Sequence, residues 1–475
     1  MRRQRRLWIL ALLALAPPAL AENPNIVFTH QTLELKSGLH SNNTANETTP
    51  FIDAVVVEDA NWVRLQIGDY NLGAQSYIVL RSLGDMDEQR LDARSLPTWQ
   101  NKSALFNGDG LIVELHVAPG EQNIYVEINQ VAAGHWQPID LPAPHSQCGP
   151  NDDRLPNTDN RVGRLFVGGC TAYRVTIGPR GGTTEEETML TAGHCTDFDN
   201  DDCGAGLPNG VVDLNGVVEF NVPPSTAAGV PVLAPANDQY PIIVTGIRFN
   251  FDGACQGLGK DYSIFGVGRN ANTGELPFQA YGIPFRLTRE SPAAGATIRI
   301  TGFGRDFNDL VRDEVCQTHT GPYIGEFTGN VAADISHEYQ VDTEGANSGS
   351  PIIWTAQNLV IGIHTNAGCD NPLTADGNSG TSFEHDPLEN DLSDYVSTLA
   401  RFVDANHPLR VAESGTVFRP NSTVSLGVTG IASGGILSIV PGSYNTAADR
   451  ALVAGTGNKA MTMVAPVGSV VIGAP

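Results

Sequence analysis

This sequence predicts an all-β, multidomain, exported protein, and three observations carry that expectation. Short stretches alternate apolar and polar residues, which is the period of a half-buried strand. The composition holds 51 glycines and 30 prolines with only 7% aromatic residues, fitting loop-rich β structure better than helix. All seven cysteines fall between Cys148 and Cys369. A chain of 475 residues has room for roughly two to four domains with real cores. Its formal charge is −24, from 52 acidic against 28 basic residues. Four of the basic residues (Arg2, Arg3, Arg5 and Arg6) open the chain, and without them the charge is −28. Such a polyanion is repelled by phosphate backbones and anionic lipid, which excludes general nucleic-acid or membrane-surface binding.

The first 21 residues read as a signal peptide. The basic start precedes an apolar run from Leu7 to Ala16, then Pro17-Pro18 and the small-x-small site Ala19-Leu20-Ala21. That run is too short to span a bilayer, and no later segment reaches 18 uninterrupted apolar residues. A soluble, secreted (extracellular or periplasmic) and monomeric mature protein beginning near Glu22 is expected, with no membrane contact after signal removal. Export makes oxidised cysteines the natural reading, and the odd count leaves one thiol over.

Residues 22–143 contain no cysteine. Their alternation is clear in Trp62–Ile67, Leu111–Val117 and Asn123–Ile128, with turn signals at Asn107-Gly108-Asp109-Gly110 and Pro119-Gly120. A small β-sandwich-like domain is expected there, serving as a pro-region or an accessory domain. The boundary falls at Pro142-Ala143-Pro144. Residues 144–405 form the cysteine-bearing domain. Near its end Leu392, Tyr395, Val396, Leu399, Phe402 and Val403 recur at three- and four-residue steps, predicting an amphipathic helix that Pro408 stops. A β-rich tail follows at 406–475. Its phrases at 434–444 and 467–473 resemble turns of right-handed β-helix proteins, though the tail is too short for an independent solenoid. An appended β module or a truncated remnant is expected.

Three motifs of the middle domain carry chemistry. They are Thr191-Ala192-Gly193-His194-Cys195, with Cys170 upstream; Lys260-Asp261-Tyr262-Ser263-Ile264; and Asn347-Ser348-Gly349-Ser350-Pro351. A serine hydroxyl is a weak nucleophile unless an imidazole takes its proton, and that imidazole needs a carboxylate to hold its tautomer and stabilise its cation. In this order the motifs resemble the chymotrypsin-like serine peptidases, most closely the bacterial glutamyl endopeptidase branch. The resemblance covers roughly residues 148–405. It implies a two-barrel antiparallel β fold, no metal or organic cofactor, and protein or peptide substrates. It also implies His194 as general base, Asp261 as its orienting partner and Ser348 as nucleophile. The backbone N–H groups of Ala346 and Ser348 would form the oxyanion hole. Asp252, nine residues before Asp261, is the alternative carboxylate.

The same resemblance implies a specificity pocket. His364 and Thr343 match the histidine and hydroxyl with which glutamyl endopeptidases bind a substrate carboxylate, implying cleavage after Glu or Asp. Asn378-Ser379-Gly380-Thr381 matches the loop beside that pocket. Asp342 stands where trypsin-like members hold Lys or Arg, which leaves a Lys/Arg-specific enzyme open. His364 as an ordinary core histidine is also open. Two departures from the family are Ala346 in place of a glycine and Asn347 in place of an aspartate. Ala346 keeps a further reading alive, a secreted binding protein with a degenerate peptidase domain. The implied disulfides are Cys170–Cys195, Cys148–Cys369 and Cys203–Cys255, with Cys316 odd. The run Asp197, Asp199, Asp201, Asp202 lacks the glycine and closing glutamate of a calcium loop and reads as a solvated turn.

Overall fold

The computed structural model describes residues 26–136, 146–166, 169–175, 185–196, 216–251, 258–328, 334–369, 377–396, 400–410, 412–453, 459–466 and 468–473. The expected signal peptide, the boundary at 142–144, Cys203, Cys255, Asp252 and the run Asp197, Asp199, Asp201, Asp202 lie outside them. Among the described residues no helix is long and apolar enough to cross a membrane.

The N-terminal alternation does what its period demands. In Gly110–Val117 the side chains of Leu111, Val113, Leu115 and Val117 are buried while Ile112, Glu114 and His116 are only half so. Two four-stranded antiparallel sheets stack over that apolar face. One contains Ile26–Lys36, Tyr125–Trp136, Trp62–Asn71 and Phe106–Asn107; the other contains Thr48–Val56, Gly110–Val117, Tyr77–Ser82 and Glu88–Asp92. The result is the expected sandwich.

Next comes a closed six-stranded barrel of Val162–Leu165, Cys170–Arg174, Glu187–Thr191, Tyr262–Val267, Gln239–Asn250 and Val217–Glu219. A second barrel runs Thr297–Gly302, Pro351–Trp354, Leu359–Asn366, Asn378–Ser382, Ile335–Tyr339 and Gln317–Thr328. Pairing of Gln317–Thr328 with Thr297–Gly302 closes it, and Leu155–Pro156 adds outside. Every residue of Glu187–Thr191 and Tyr262–Val267 is buried, so these strands are covered on both faces.

The helix after the second barrel spans Asp386–Val396 and buries Leu388, Leu392, Tyr395 and Val396. Its expected continuation through Phe402 and Val403 is corrected: Ala400–Val403 is a strand, paired in parallel with Ile436–Ile439. Phe402 and Val403 favour strands as readily as helices, and a partner edge from the tail decides between them. The tail stacks Ile436–Ile439 on Thr462–Val464, and Gly442–Tyr444 on Val470–Ile472, all in parallel. Short helices at Val424–Gly430 and Ala447–Val453 return the chain between these strands.

Two buried ion pairs brace the first barrel, Arg164–Glu219 at 2.7 Å and Arg174–Glu187 at 2.8 Å. Burial pushes the Glu187 carboxyl up, and the Arg174 charge and hydrogen bond oppose that. Arg174→Met alone strands a carboxylate in the interior and should cost about 3–5 kcal/mol. The double variant Arg174→Met/Glu187→Leu should recover most of that loss. Chemical denaturation followed by circular dichroism reads both.

Candidate active site

The strand register makes the first half of the site. Glu187–Thr191 and Tyr262–Val267 are antiparallel, with Thr191 opposite Ser263. Two steps past Thr191 and two before Ser263 bring Gly193 against Asp261. A Cβ at Gly193 would lie 2.2 Å from the Asn250 carbonyl oxygen and 3.0 Å from Asp261 Oδ1, so only glycine fits. His194 follows on the short turn Gly193–Cys195, pinned by the expected Cys170–Cys195 disulfide. Its backbone N–H donates to Asp261 Oδ1 at 3.0 Å, and its Nδ1 lies 2.6 Å from Asp261 Oδ2. Asp261 is fully buried, and Thr381 Oγ1 donates to its carbonyl at 2.9 Å. Burial pulls the His194 imidazole toward neutrality, but the Asp261 charge and hydrogen bond outweigh it and raise the pKa above 6.5.

The second half is the turn around Ser348, seated between the barrels. From the first barrel, Thr171 N–H donates to the Ser348 carbonyl at 2.8 Å and Thr171 Oγ1 to the Ala346 carbonyl at 3.1 Å. From the second, the His364 carbonyl accepts the Gly349 N–H at 2.8 Å. Cys195 Sγ, beside His194, sits 3.8 Å from the Ser348 carbonyl oxygen. At Gly349 φ is 86°, and a Cβ there would strike the Thr171 carbonyl oxygen at 2.0 Å. The His194–Asp261 pair and the Ser348 turn thus lie next to each other through Cys195.

Within the turn, the N–H groups of Asn347, Gly349 and Ser350 donate to the carbonyls of Glu344, His364 and Asn347. Those of Ala346 and Ser348 donate to no acceptor among the described residues. Ala346 sits at φ 71°, in the left-handed region that glycine adopts without cost.

The pocket residues separate in role. Thr343 is fully buried and its Oγ1 accepts from Asn378 Nδ2 at 2.9 Å. His364 is buried, and Tyr339 O–H bonds its Nδ1 at 2.7 Å. Burial, then the nearby His194, lowers the His364 pKa to about 3, the Ser379 backbone acting the other way. The ring is neutral. Burial keeps the Tyr339 hydroxyl protonated, so it can pair with Nδ1 in either imidazole tautomer. Asp342 has both carboxylate oxygens occupied: Oδ1 accepts the Cys148 N–H and Oδ2 the Asp153 N–H, each at 2.8 Å. It fastens the segment that enters the domain, beside the Cys148–Cys369 disulfide. Among the described residues Cys316 is a buried free thiol, its pKa pushed up to about 12 by burial.

In the sequence Asn378 stands out only as part of a loop, yet it bonds Thr343 directly. Its Nδ2 also reaches the Ser146 and Val341 carbonyls at 2.8 Å, while its Oδ1 accepts from Gly368 and Cys369. Tyr339, the partner of His364 Nδ1, is a second residue that no motif marks. Its only sequence signal is an inward place on an alternating strand.

Residues 260–379 match the trypsin family model. That segment is a trypsin-family domain, and the chain is a serine-type peptidase. The matched span includes Asp261, Asp342, Thr343, Ser348 and His364; His194 lies before it. Two solved structures are similar to this peptidase. One is a Glu endopeptidase in complex with MPD, 19% identical, covering 51% of this chain and 98% of that one, with a TM-score of 0.35. The other is the thermostable serine protease AL20 from an extremophilic microorganism, 14% identical, covering 50% and 98% respectively, TM-score 0.35. No curated protein matches the chain.

Removing the Ala346 methyl relieves a left-handed alanine, which costs roughly 1–2 kcal/mol. The unfolded chain gains freedom with glycine, offsetting about 0.4–1 kcal/mol. Ala346→Gly should therefore raise the denaturation midpoint slightly rather than lower it.

Proposed function

We propose that this peptidase is an exported serine endopeptidase in which Ser348 is the nucleophile, His194 the general base and Asp261 its orienting carboxylate. The observation that carries the reading is the pair of bonds from His194 to the buried Asp261, beside the turn that holds Ser348. Ser348 Oγ adds to the scissile carbonyl carbon as its proton passes to His194 Nε2. The N–H groups of Ala346 and Ser348 receive the oxyanion. His194 then protonates the leaving amine, the C–N bond breaks, and an acyl-enzyme remains. Water attacks that ester, His194 taking its proton, and Ser348 is released. This chemistry uses no metal or organic cofactor.

We further propose cleavage after Glu or Asp. In the tautomer that accepts from Tyr339, the neutral His364 carries its proton on Nε2 and, with the Thr343 hydroxyl, offers donors to a substrate carboxylate, which is costly to bury without them. Lys/Arg specificity needs an open carboxylate at Asp342, and both its oxygens already accept backbone N–H groups. The N-terminal leader and the two disulfides support export to an oxidising compartment. We assign residues 1–21 to the leader, 22–143 to the sandwich, 144–405 to the peptidase domain and 406–475 to the tail.

Digestion of a peptide mixture, with the residue before each cut identified, tests activity and pocket together. Cuts after Glu and Asp are expected. Cuts after Lys or Arg would overturn the pocket assignment. A folded, oxidised protein that cuts nothing and reacts with no fluorophosphonate at Ser348 would favour the binding-protein reading. His364→Ala removes a bond to a charged group, worth about 1.5–3 kcal/mol, and should lower kcat/KM for acidic sites by about ten- to a hundredfold.

A further inference from the structure

The sandwich does not end where the first barrel begins. Its apolar core continues into Phe166, Val217, Leu233 and Ala236 of the barrel, and Trp62 meets Phe166 edge-on at 6.0 Å. At the centre lies Gln239, fully buried. Its Oε1 accepts the Leu105 N–H at 2.9 Å, and its Nε2 donates to the Leu105 carbonyl at 2.8 Å and the Ala234 carbonyl at 2.7 Å. Around it Gln100 Nε2 donates to the Ile242 carbonyl at 2.7 Å, and Asn107 Oδ1 accepts the Leu233 N–H at 2.8 Å. Four of these five bonds cross between sandwich and barrel, and separation would break them and leave their groups to water. Separation would also bare the apolar side chains that one core now covers.

The position of this joint in the barrel matters as much as its chemistry. His194 and Asp261 leave the strands Glu187–Thr191 and Tyr262–Val267 at the end marked by the Thr191–Ser263 pair. The sandwich grips the other end. Beyond Val267, Gly268 packs so closely on Thr98 that an added Cβ would lie 2.5 Å from its Cγ2. Six extended residues separate the two ends by roughly 20 Å. A segment that silences an enzyme must cover the cleft or displace a catalytic group, and among the described residues the sandwich bonds to none of His194, Asp261 and Ser348.

We infer that residues 26–136 are a permanent part of the mature enzyme, a clamp that completes the first barrel, and not an inhibitory segment removed to switch the enzyme on. The activity arm of this inference rests on the proposed function; the association arm does not.

The test introduces a site for an unrelated protease between Trp136 and Ser146 of the full chain, in the Ser348→Ala background to prevent self-digestion. After complete cutting, both fragments should leave a native sizing column as one particle and unfold in one transition. Fragments that separate, leaving residues 146–473 folded alone, would overturn the inference. In the same cleavable chain with Ser348 intact, fluorophosphonate labelling should proceed within about twofold of the same rate before and after cutting. A rise of tenfold or more on cutting would mark an inhibitory segment and overturn it. No labelling in either state would contradict the proposed function, while the sizing result still decides the clamp. Gln239→Leu breaks the central joint without touching the cleft. It should lower the unfolding temperature of sandwich and barrel together, and independent melting of the two parts would count against the clamp.

Discussion

A buried carboxylate organises this molecule. Asp261 has no contact with solvent, and a charge so placed is strongly disfavoured unless donors surround it. Both of its oxygens engage His194, one at the backbone N–H and one at the ring. Meeting that demand constrains everything nearby. The strand register must bring Gly193 opposite Asp261, Gly193 must lack a side chain, and the chain after Thr191 must turn at once. The disulfide from Cys170 to Cys195 holds that turn, and Thr381 reaches over from the second barrel. The two barrels are therefore joined at the backbone of the residue that carries the buried carboxylate.

The same logic explains how the Ser348 turn is supported without an aspartate beside the nucleophile. Asn347 is uncharged, so a free N-terminal ammonium has no ion-pair partner there. Support comes from packing and backbone bonds instead. Arg305 N–H donates to the Gly345 carbonyl at 2.8 Å, and Arg305 Nε is itself anchored on Asp313 at 2.8 Å. Gly304 leaves no room for even a methyl group against the Asn347 amide. Thr171 holds the turn from the first barrel. A turn held from three sides can keep Ala346 in its left-handed conformation, where an isolated loop would relax it.

Much of this was legible in the sequence because it depends on spacing. The sandwich follows from strict period-two alternation, and the Cys148–Cys369 and Cys170–Cys195 bridges match those the family resemblance implied. His194, Asp261 and Ser348 stood in motifs whose chain order carried the argument. Side-chain direction was not legible. Asp342 stood where trypsin-like members bind Lys or Arg, and its bonds to the Cys148 and Asp153 N–H groups depend on the path of residues 148–153, which no motif announces. The 400–403 segment could not be read alone either, because its partner strand lies some thirty-five residues later. Asn378 and Tyr339 are joints between distant segments, and a joint has no local signature.

The central claim is that Asp261 governs the charge state of His194. Proton NMR of the His194 ring in the intact protein, titrated with pH in wild type and in Asp261→Asn, measures this directly. A carboxylate partner favours the imidazolium, so the His194 proton is held to higher pH and base catalysis rises only as it is lost. The account predicts a downfield Nδ1–H resonance and a pKa above the ordinary 6.5 in wild type, with both lost in Asp261→Asn. A His194 that titrates at or below 6.5 in wild type, and identically in Asp261→Asn, would contradict it.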